Sequence, residues 1–159
     1  METKEKVKKL CSFYVSDIHF GTMLLPYISK KIEEGNSIYT VFEKDMYKNI
    51  EKIISKLSLN KEIREEIKNI NWNKKIDKRE IKEYINNIKE DSEVILVMGK
   101  KKYIDKANKK LDKQIKKEDL EKVTIINCYN VDVFNEHMGE ILDKHSGILN
   151  TAGERRIEA

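Results

Sequence analysis

Hydrophobic positions follow two patterns that alternate along the chain. Apolar and β-branched residues form short unbroken runs in four places, and such runs predict strands. The four predicted strands are Lys9–Ser16, Ser37–Phe42, Val94–Met98 and Val123–Tyr129. Between them, apolar residues recur three or four positions apart, which predicts helices. The run VILVM at Val94–Met98 has no polar residue, which is typical of a strand buried on both faces.

The first predicted helix lies within His19–Gly35. Pro26 indicates that its regular part begins near Leu24 or Leu25, because proline is tolerated in a first turn. Asp45 is the predicted N-cap of the second helix. The remaining predicted helices are Met46–Leu57, Leu59–Ile67, a helix capped by Asp77 that ends at Glu90, Lys102–Lys116 and Val133–Leu142. The segment Asn69–Asn73 fits either a short strand or an extended loop.

Alternating strands and helices require crossover connections, and these favour a parallel sheet. We therefore predict an α/β fold: a three-layer sandwich with a mainly parallel central sheet of four to five strands. A chain of 159 residues suggests one domain. The predicted domain spans 9–150, with a lead-in over 1–8 and a flexible polar tail over 151–159.

Composition restricts the setting of the protein more than its function. No apolar run approaches the length of a membrane span, and the basic N-terminus lacks the apolar stretch of a signal peptide. Cys11 and Cys128 lie inside strand-like runs, which favours two buried thiols over reactive ones. These features predict a protein of the reducing cytoplasm, without contact to a membrane.

Ligands of parallel α/β sheets bind beyond the carboxyl ends of the strands. The candidate ligand-binding residues at these ends are Tyr14, Asp17, His19, Gly21, Glu43, Gly99, Tyr129 and Asn130. Asp132 also follows the last predicted strand. The alternative is that the polar members of this set are helix caps and solvated loop residues, because Asp and Asn favour such positions.

Asp17-Ile18-His19 directly after a strand resembles the first metal motif of calcineurin-like metallophosphoesterases. A carboxylate and an imidazole could reach one ion there, but a two-metal phosphatase needs further ligands. The Gly-Asp, Gly-Asn-His and Gly-His-x-His motifs of that family do not occur. No Walker A loop occurs either, so a classical nucleotide hydrolase is not predicted. We predict no catalytic residue, no metal and no cofactor, with the phosphoesterase as a further alternative.

Basic residues concentrate in one predicted helix. The whole chain has 32 Lys and Arg against 28 Asp and Glu, but Gly99–Lys117 alone holds nine Lys and two Asp. Such a helix could contact nucleic-acid phosphates, or it could be a solvated face in a lysine-rich chain. The candidate nucleic-acid-binding residues are Lys100, Lys101, Lys102, Lys109, Lys110 and Lys113. Nucleic acid is an alternative partner, not the favoured one.

Two pairs of short motifs resemble one family in their order and spacing. Cys11-Ser12-Phe13-Tyr14 precedes a helix that ends at Gly35, and Cys128-Tyr129-Asn130 precedes a helix that leads to His145. This arrangement resembles the MEDS domain, the methanogen/methylotroph DcmR sensory domain. The resemblance covers about Lys9 to Leu149. It implies a degenerate RecA- and KaiC-like fold in which Asp17–Gly35 replaces the lost phosphate loop and its helix.

The resemblance implies ligand sensing or protein interaction instead of ATP hydrolysis. The favoured function is a non-catalytic sensory domain in signal transduction or transcription control, with an unidentified small ligand or a regulatory protein as its partner. A homodimer is a further expectation. Phe20 and Met23 would suit its interface, although core burial explains these two residues equally well.

Overall fold

The computed structural model describes residues 7–72, 78–87, 93–118, 122–131 and 134–157. Within these ranges the chain forms a six-stranded sheet. The strands are β1 (Val7–Tyr14), β2 (Ser37–Phe42), β3 (Glu93–Met98), β4 (Val123–Asn130), β5 (Gly147–Asn150) and β6 (Gly153–Arg156). They lie side by side in the order β2-β3-β4-β1-β5-β6. The first five strands are parallel, and β6 runs antiparallel to β5.

Helices cover both faces of this sheet. They are α1 (Asp17–Glu33), α2 (Tyr47–Ile54), α3 (Lys61–Lys68), α4 (Lys78–Asn87), α5 (Lys101–Glu118) and α6 (Phe134–Asp143). Apolar residues of α1, α2 and α3 share one core cluster, whereas those of α4, α5 and α6 share another. The predicted α/β class with a mainly parallel sheet and flanking helices is confirmed. Among the described residues, no helix is both long and apolar enough to cross a membrane.

The two cores meet at the central strands. All six residues of β3 are buried, as the run VILVM predicts. Alternate residues of this strand point to opposite faces, so Leu96 packs with α1–α3 and Ile95 packs with α4 and α5. Phe20 and Met23 lie fully in the first core, and their burial places them away from any dimer interface.

The sheet has more strands than the hydrophobic pattern indicates. Both β5 and β6 lie outside the four predicted strands, and the segment 69–72 forms no strand. Within the predicted tail, Gly153–Arg156 form a strand that pairs with β5. The sequence of β6 is GERR, which has no alternating apolar residues. This strand therefore forms through backbone hydrogen bonds and not through the burial of an apolar face. Residue 73 lies outside the described residues.

Two helix starts also differ from the predictions. Helix α1 begins at Asp17, with Pro26 inside it. Pro26 and Thr22, whose carbonyl loses its partner at the proline, are both exposed, so water can replace the missing hydrogen bond. The N-cap of α2 is Met46, and the Asp45 carboxylate instead accepts a hydrogen bond from the amide of Tyr47 at 2.8 Å. The predicted cap Asp77 lies outside the described residues.

Candidate functional site

The neighbouring strands β1 and β4 send their following helices to opposite faces of the sheet. Helix α1 packs on one face, whereas Ile141 of α6 packs in the core cluster of α5 on the other. The last residues of the two strands, Tyr14 and Asn130, are direct partners in the register. A crevice forms where adjacent strands diverge in this way, and ligands of open α/β sheets bind there. We call residues 14–19, 43–47, 99–100 and 130 the carboxyl edge.

The first turn of α1 is held by reciprocal hydrogen bonds. The hydroxyl of Ser16 accepts from the amide of His19 at 3.1 Å, which makes Ser16 the N-cap. The amide of Val15 in turn donates to Nδ1 of His19 at 3.0 Å. Because Nδ1 accepts, the ring proton of the neutral imidazole lies on Nε2. His19 therefore has Nε2 left to donate to a bound group.

An ion pair joins this turn to the segment after β2. Lys44 Nζ lies 2.6 Å from Asp17 Oδ1, and Asn49 donates to Oδ2 of the same carboxylate at 3.4 Å. Both ends of the ion pair are partly exposed, with 50% and 38% of the two side chains accessible. Its contribution to stability is therefore small. It places the start of α1 beside the start of α2.

Glu43 closes the start of α5. Its Oε1 accepts a hydrogen bond from the amide of Lys100 at 2.8 Å, and its own amide donates to the carbonyl of Met98 at 2.9 Å. Gly99 permits this approach, since a Cβ there would lie 2.8 Å from both Glu43 Cβ and Tyr103 Cδ1. A carboxylate of the protein thus takes the place at a helix N-terminus where an anion could bind.

The remaining candidate residues do not gather at one point. Tyr14 packs in the α1 core edge-on to Phe20, with ring centroids 5.3 Å apart. Tyr129 lies in the opposite core and stacks on Phe13 at 5.9 Å. Gly21 is buried inside α1, where a side chain would collide with Ile53. Burial gives all three a packing role that needs no ligand.

Metal-ligating side chains are scattered. In the described ranges, no three His, Cys, Asp or Glu side chains lie close enough together to hold an ion.

Asp132, the last of the sequence-predicted rim residues, lies outside those ranges. Asn130 is partly buried at the end of β4. The carboxyl edge therefore has two polar clusters, one around Asp17 and one around Glu43.

Exposed apolar side chains were not among the sequence predictions for this edge. Val15 is 62% exposed, Ile18 is 48% exposed and Tyr47 is 42% exposed, and they are the large exposed hydrophobic residues of the described part of the chain. Val15 and Ile18 flank the N-cap of α1, and Tyr47 begins α2, which the Asp17–Lys44 ion pair ties to α1. In the sequence, Val15 continues the apolar run of the first predicted strand, so no local pattern indicates that its side chain is exposed.

Of three surface cavities, one includes a residue of the carboxyl edge, Tyr47, in its lining. One of about 490 Å³ opens beside β1, β5 and β6, and another of about 450 Å³ lies between α2 and α3. The third, of about 670 Å³, lies between α4 and α5. None of the eight candidate ligand-binding residues lines these three cavities. Lys109, Lys110 and Lys113, from the nucleic-acid alternative, line the third.

The other three lysines of that alternative lie at the start of α5. Lys101 is only 17% exposed at its side chain, and it bonds Asp105 at 2.7 Å and Glu140 of α6 at 3.1 Å. These hydrogen bonds raise the pKa of Lys101. Lys100 and Lys102 do not line the cavity between α4 and α5.

Comparison with known proteins gives no relative. No protein-family model, curated protein or solved structure matches this chain. The resemblance to the MEDS domain stays a prediction from short motifs.

Proposed function

We propose that this protein is a non-catalytic regulatory domain of the MEDS type that binds a partner protein at the carboxyl edge. The fold would then be a RecA- and KaiC-like one without its phosphate loop. The exposure of Val15, Ile18 and Tyr47 around one corner of the sheet carries this proposal. Large apolar side chains that stay in water beside charged groups are typical of a surface that a partner covers.

The two helix N-termini of this edge support a lost phosphate site. Helix α1 begins with the Ser16 cap and the Asp17 carboxylate, and at the start of α5 the Lys100 amide donates a hydrogen bond to the Glu43 carboxylate. Free helix N-termini attract phosphate, but fixed negative charges beside them repel it. A nucleotide is therefore a poor ligand for this edge.

A partner protein suits this surface better than a small ligand does. Small molecules bind in concave pockets that cover most of their surface. None of the eight candidate ligand-binding residues lines the three cavities described above, and of the three exposed apolar residues Tyr47 alone lines one, the cavity between α2 and α3. The Asp17–Lys44 ion pair beside Val15 and Ile18 offers a partner both charges and apolar contact.

A metal-dependent phosphoesterase at Asp17 and His19 is less well supported. Nδ1 of His19 already accepts a hydrogen bond from the Val15 amide, and the two oxygens of Asp17 accept hydrogen bonds from Lys44 and Asn49. A metal ion would have to displace these donors. It would also need further ligands, which the described residues do not bring to this place.

Site-specific crosslinking tests the proposal. A benzophenone amino acid replaces Val15 or Ile18, and the matched control carries it at Ser37, an exposed residue at the amino end of β2. In cells that make the protein, Val15 and Ile18 should give the same discrete adduct, Ser37 should give none, and Tyr47→Arg should abolish it. Adducts of equal yield from all three positions would contradict a specific surface.

Native mass spectrometry of the purified protein provides the second arm. A clean mass for the apoprotein agrees with a protein partner, and a mass of twice the chain would identify that partner as a second copy. A bound small molecule that is lost in Val15→Arg and kept in Ser37→Arg would show that the carboxyl edge binds a small ligand instead of a partner protein. No site-dependent adduct and no bound molecule together would overturn the proposal.

A further inference from the structure

A lysine-lined groove runs between α4 and α5, on the face of the sheet opposite to α1. Its volume is about 670 Å³, and the described side chains that line it are six lysines and Gln114. The six lysines are Lys82 from α4 and Lys106, Lys109, Lys110, Lys113 and Lys117 from α5. We call these residues the lysine groove. The two helices are linked there, since Gln114 donates to Asn86 at 3.0 Å.

The charges of the lysine groove are not neutralised by the described residues. All six lysines are exposed, and no ion pair joins any of them to a carboxylate whose side chain the structure describes. Two acidic residues of the same helix are engaged elsewhere: Asp105 pairs with Lys101, and Asp112 pairs with Lys9 at 2.8 Å. Six positive charges thus line one channel in a chain whose formal net charge is +4.

We propose that the lysine groove binds the sugar-phosphate backbone of a single nucleic-acid strand. Lys106 and Lys117 are eleven residues apart on one helix, which corresponds to about 16 Å. A stacked strand carries one phosphate per about 3.4 Å, so about five phosphates span that length. Six lysines facing about five phosphates make a complementary pair of charge arrays. This site is independent of the proposed partner surface at the carboxyl edge.

The lining residues also indicate the mode of binding. Among the side chains that the structure describes, the groove lining contains neither arginine, which reads base edges, nor an aromatic residue, which stacks on bases. Contacts to phosphates position a nucleic acid without reading its sequence. We therefore expect sequence-independent binding. A groove between two helices accommodates a strand along its length, whereas a flat membrane or a convex duplex would meet only its rim.

Fluorescence anisotropy with a labelled 20-nucleotide single strand tests the proposal. If about five phosphates are neutralised, the logarithm of the binding constant should fall with that of the salt concentration at a slope of about −3.5, a loss of about 130-fold between 50 and 200 mM salt. The variant K106Q/K110Q/K113Q should reduce the magnitude of this slope by about 2. Glutamine keeps helix propensity, so the variant should fold.

The matched control is K48Q/K52Q/K56Q, which removes three exposed lysines from the opposite face of the sheet. It loses the same charge and should keep the slope of the unchanged protein. If both triple variants lowered the magnitude of the slope equally, the net charge of the protein would explain the effect, and the proposal would be overturned. The lack of binding at 50 mM salt, tighter binding of a duplex, or binding to anionic vesicles without binding to the strand would also overturn it.

Discussion

Asn127 donates a hydrogen bond from Nδ2 to Nε2 of His145 across 2.9 Å inside the α5–α6 face of the sheet. The other ring nitrogen, Nδ1, lies 2.5 Å from the carbonyl of Ile141, which can only accept. His145 is therefore neutral, with its proton on Nδ1. Asn127 also exchanges two hydrogen bonds with Asn108, at 2.7 and 3.1 Å. A protonated His145 would turn a donor toward the amide of Asn127 and break this network.

This network predicts a loss of stability at acidic pH. Burial lowers the pKa of His145; the Ile141 hydrogen bond and Asp105 oppose this, and Lys9 and Lys144 reinforce it. A pKa below that of the unfolded chain means that the unfolded state binds the proton first. The contribution of His145 to the free energy of unfolding should thus be constant above about pH 6.5 and fall below it, by at most about 1.4 kcal/mol per pH unit.

Urea denaturation between pH 5 and 8 measures this dependence. The difference between the unchanged protein and His145→Gln isolates the contribution of this one residue, because all other titrating groups are shared. That difference should decrease as the pH falls below about 6.5. A difference that is flat across the range would show that His145 titrates alike in the folded and unfolded chains.

Gly99→Ala and Gly139→Ala should have opposite effects on stability. A Cβ at Gly99 would lie 2.8 Å from Glu43 Cβ, so Glu43 must move and its bond to the Lys100 amide is lost. We expect a cost of about 1–3 kcal/mol. Gly139 is exposed in α6 with nothing within 4 Å of a Cβ, and alanine there should stabilise by about 0.5–1 kcal/mol. Urea denaturation of both variants is the measurement, and equal effects would contradict the role of Gly99.

Much of this fold could be predicted because its central strands have a local signal. The unbroken run Val94–Met98 can lie only between two covered faces, and it forms β3. The strand β6 has no such signal, since its residues GERR pair through the backbone alone. The start of α1 was missed for a different reason. The Ser16 cap outweighs the effect of Pro26, whose lost hydrogen bond lies on the exposed side.

The candidate site was predictable in its location and not in its contacts. Asp17 and Glu43 each follow a predicted strand in the sequence, and this position predicts that they lie at the carboxyl edge. Their partners Lys44 and Lys100 are 27 and 57 residues away along the chain, and no local pattern joins residues so far apart. Which residues stay in water is likewise set by tertiary packing. Val15 looks like a core residue in the sequence and is exposed in the fold.

Gly21 and Ile53 should show energetic coupling. Gly21 was a candidate ligand-binding residue, and the structure packs it against the end of the Ile53 side chain. Gly21→Ala alone should destabilise by about 1–3 kcal/mol, because the Ile53 side chain must leave its rotamer. In Ile53→Val, which lacks the terminal methyl group, the same substitution should cost at least about 0.5 kcal/mol less. A double-mutant cycle by urea denaturation measures this coupling, and additive effects would contradict the contact.

The two thiols should be unreactive until the protein unfolds. Cys11 and Cys128 are fully buried, as the sequence predicts. Burial raises the pKa of Cys11 to about 12 and raises that of Cys128 as well, so the reactive thiolate is scarce at pH 8. Ellman's reagent should label neither thiol in buffer and both in urea. Gly99→Ala should speed the labelling in buffer, because a destabilised chain opens more often. Rapid labelling of one thiol in the folded protein would show that this cysteine is accessible to solvent.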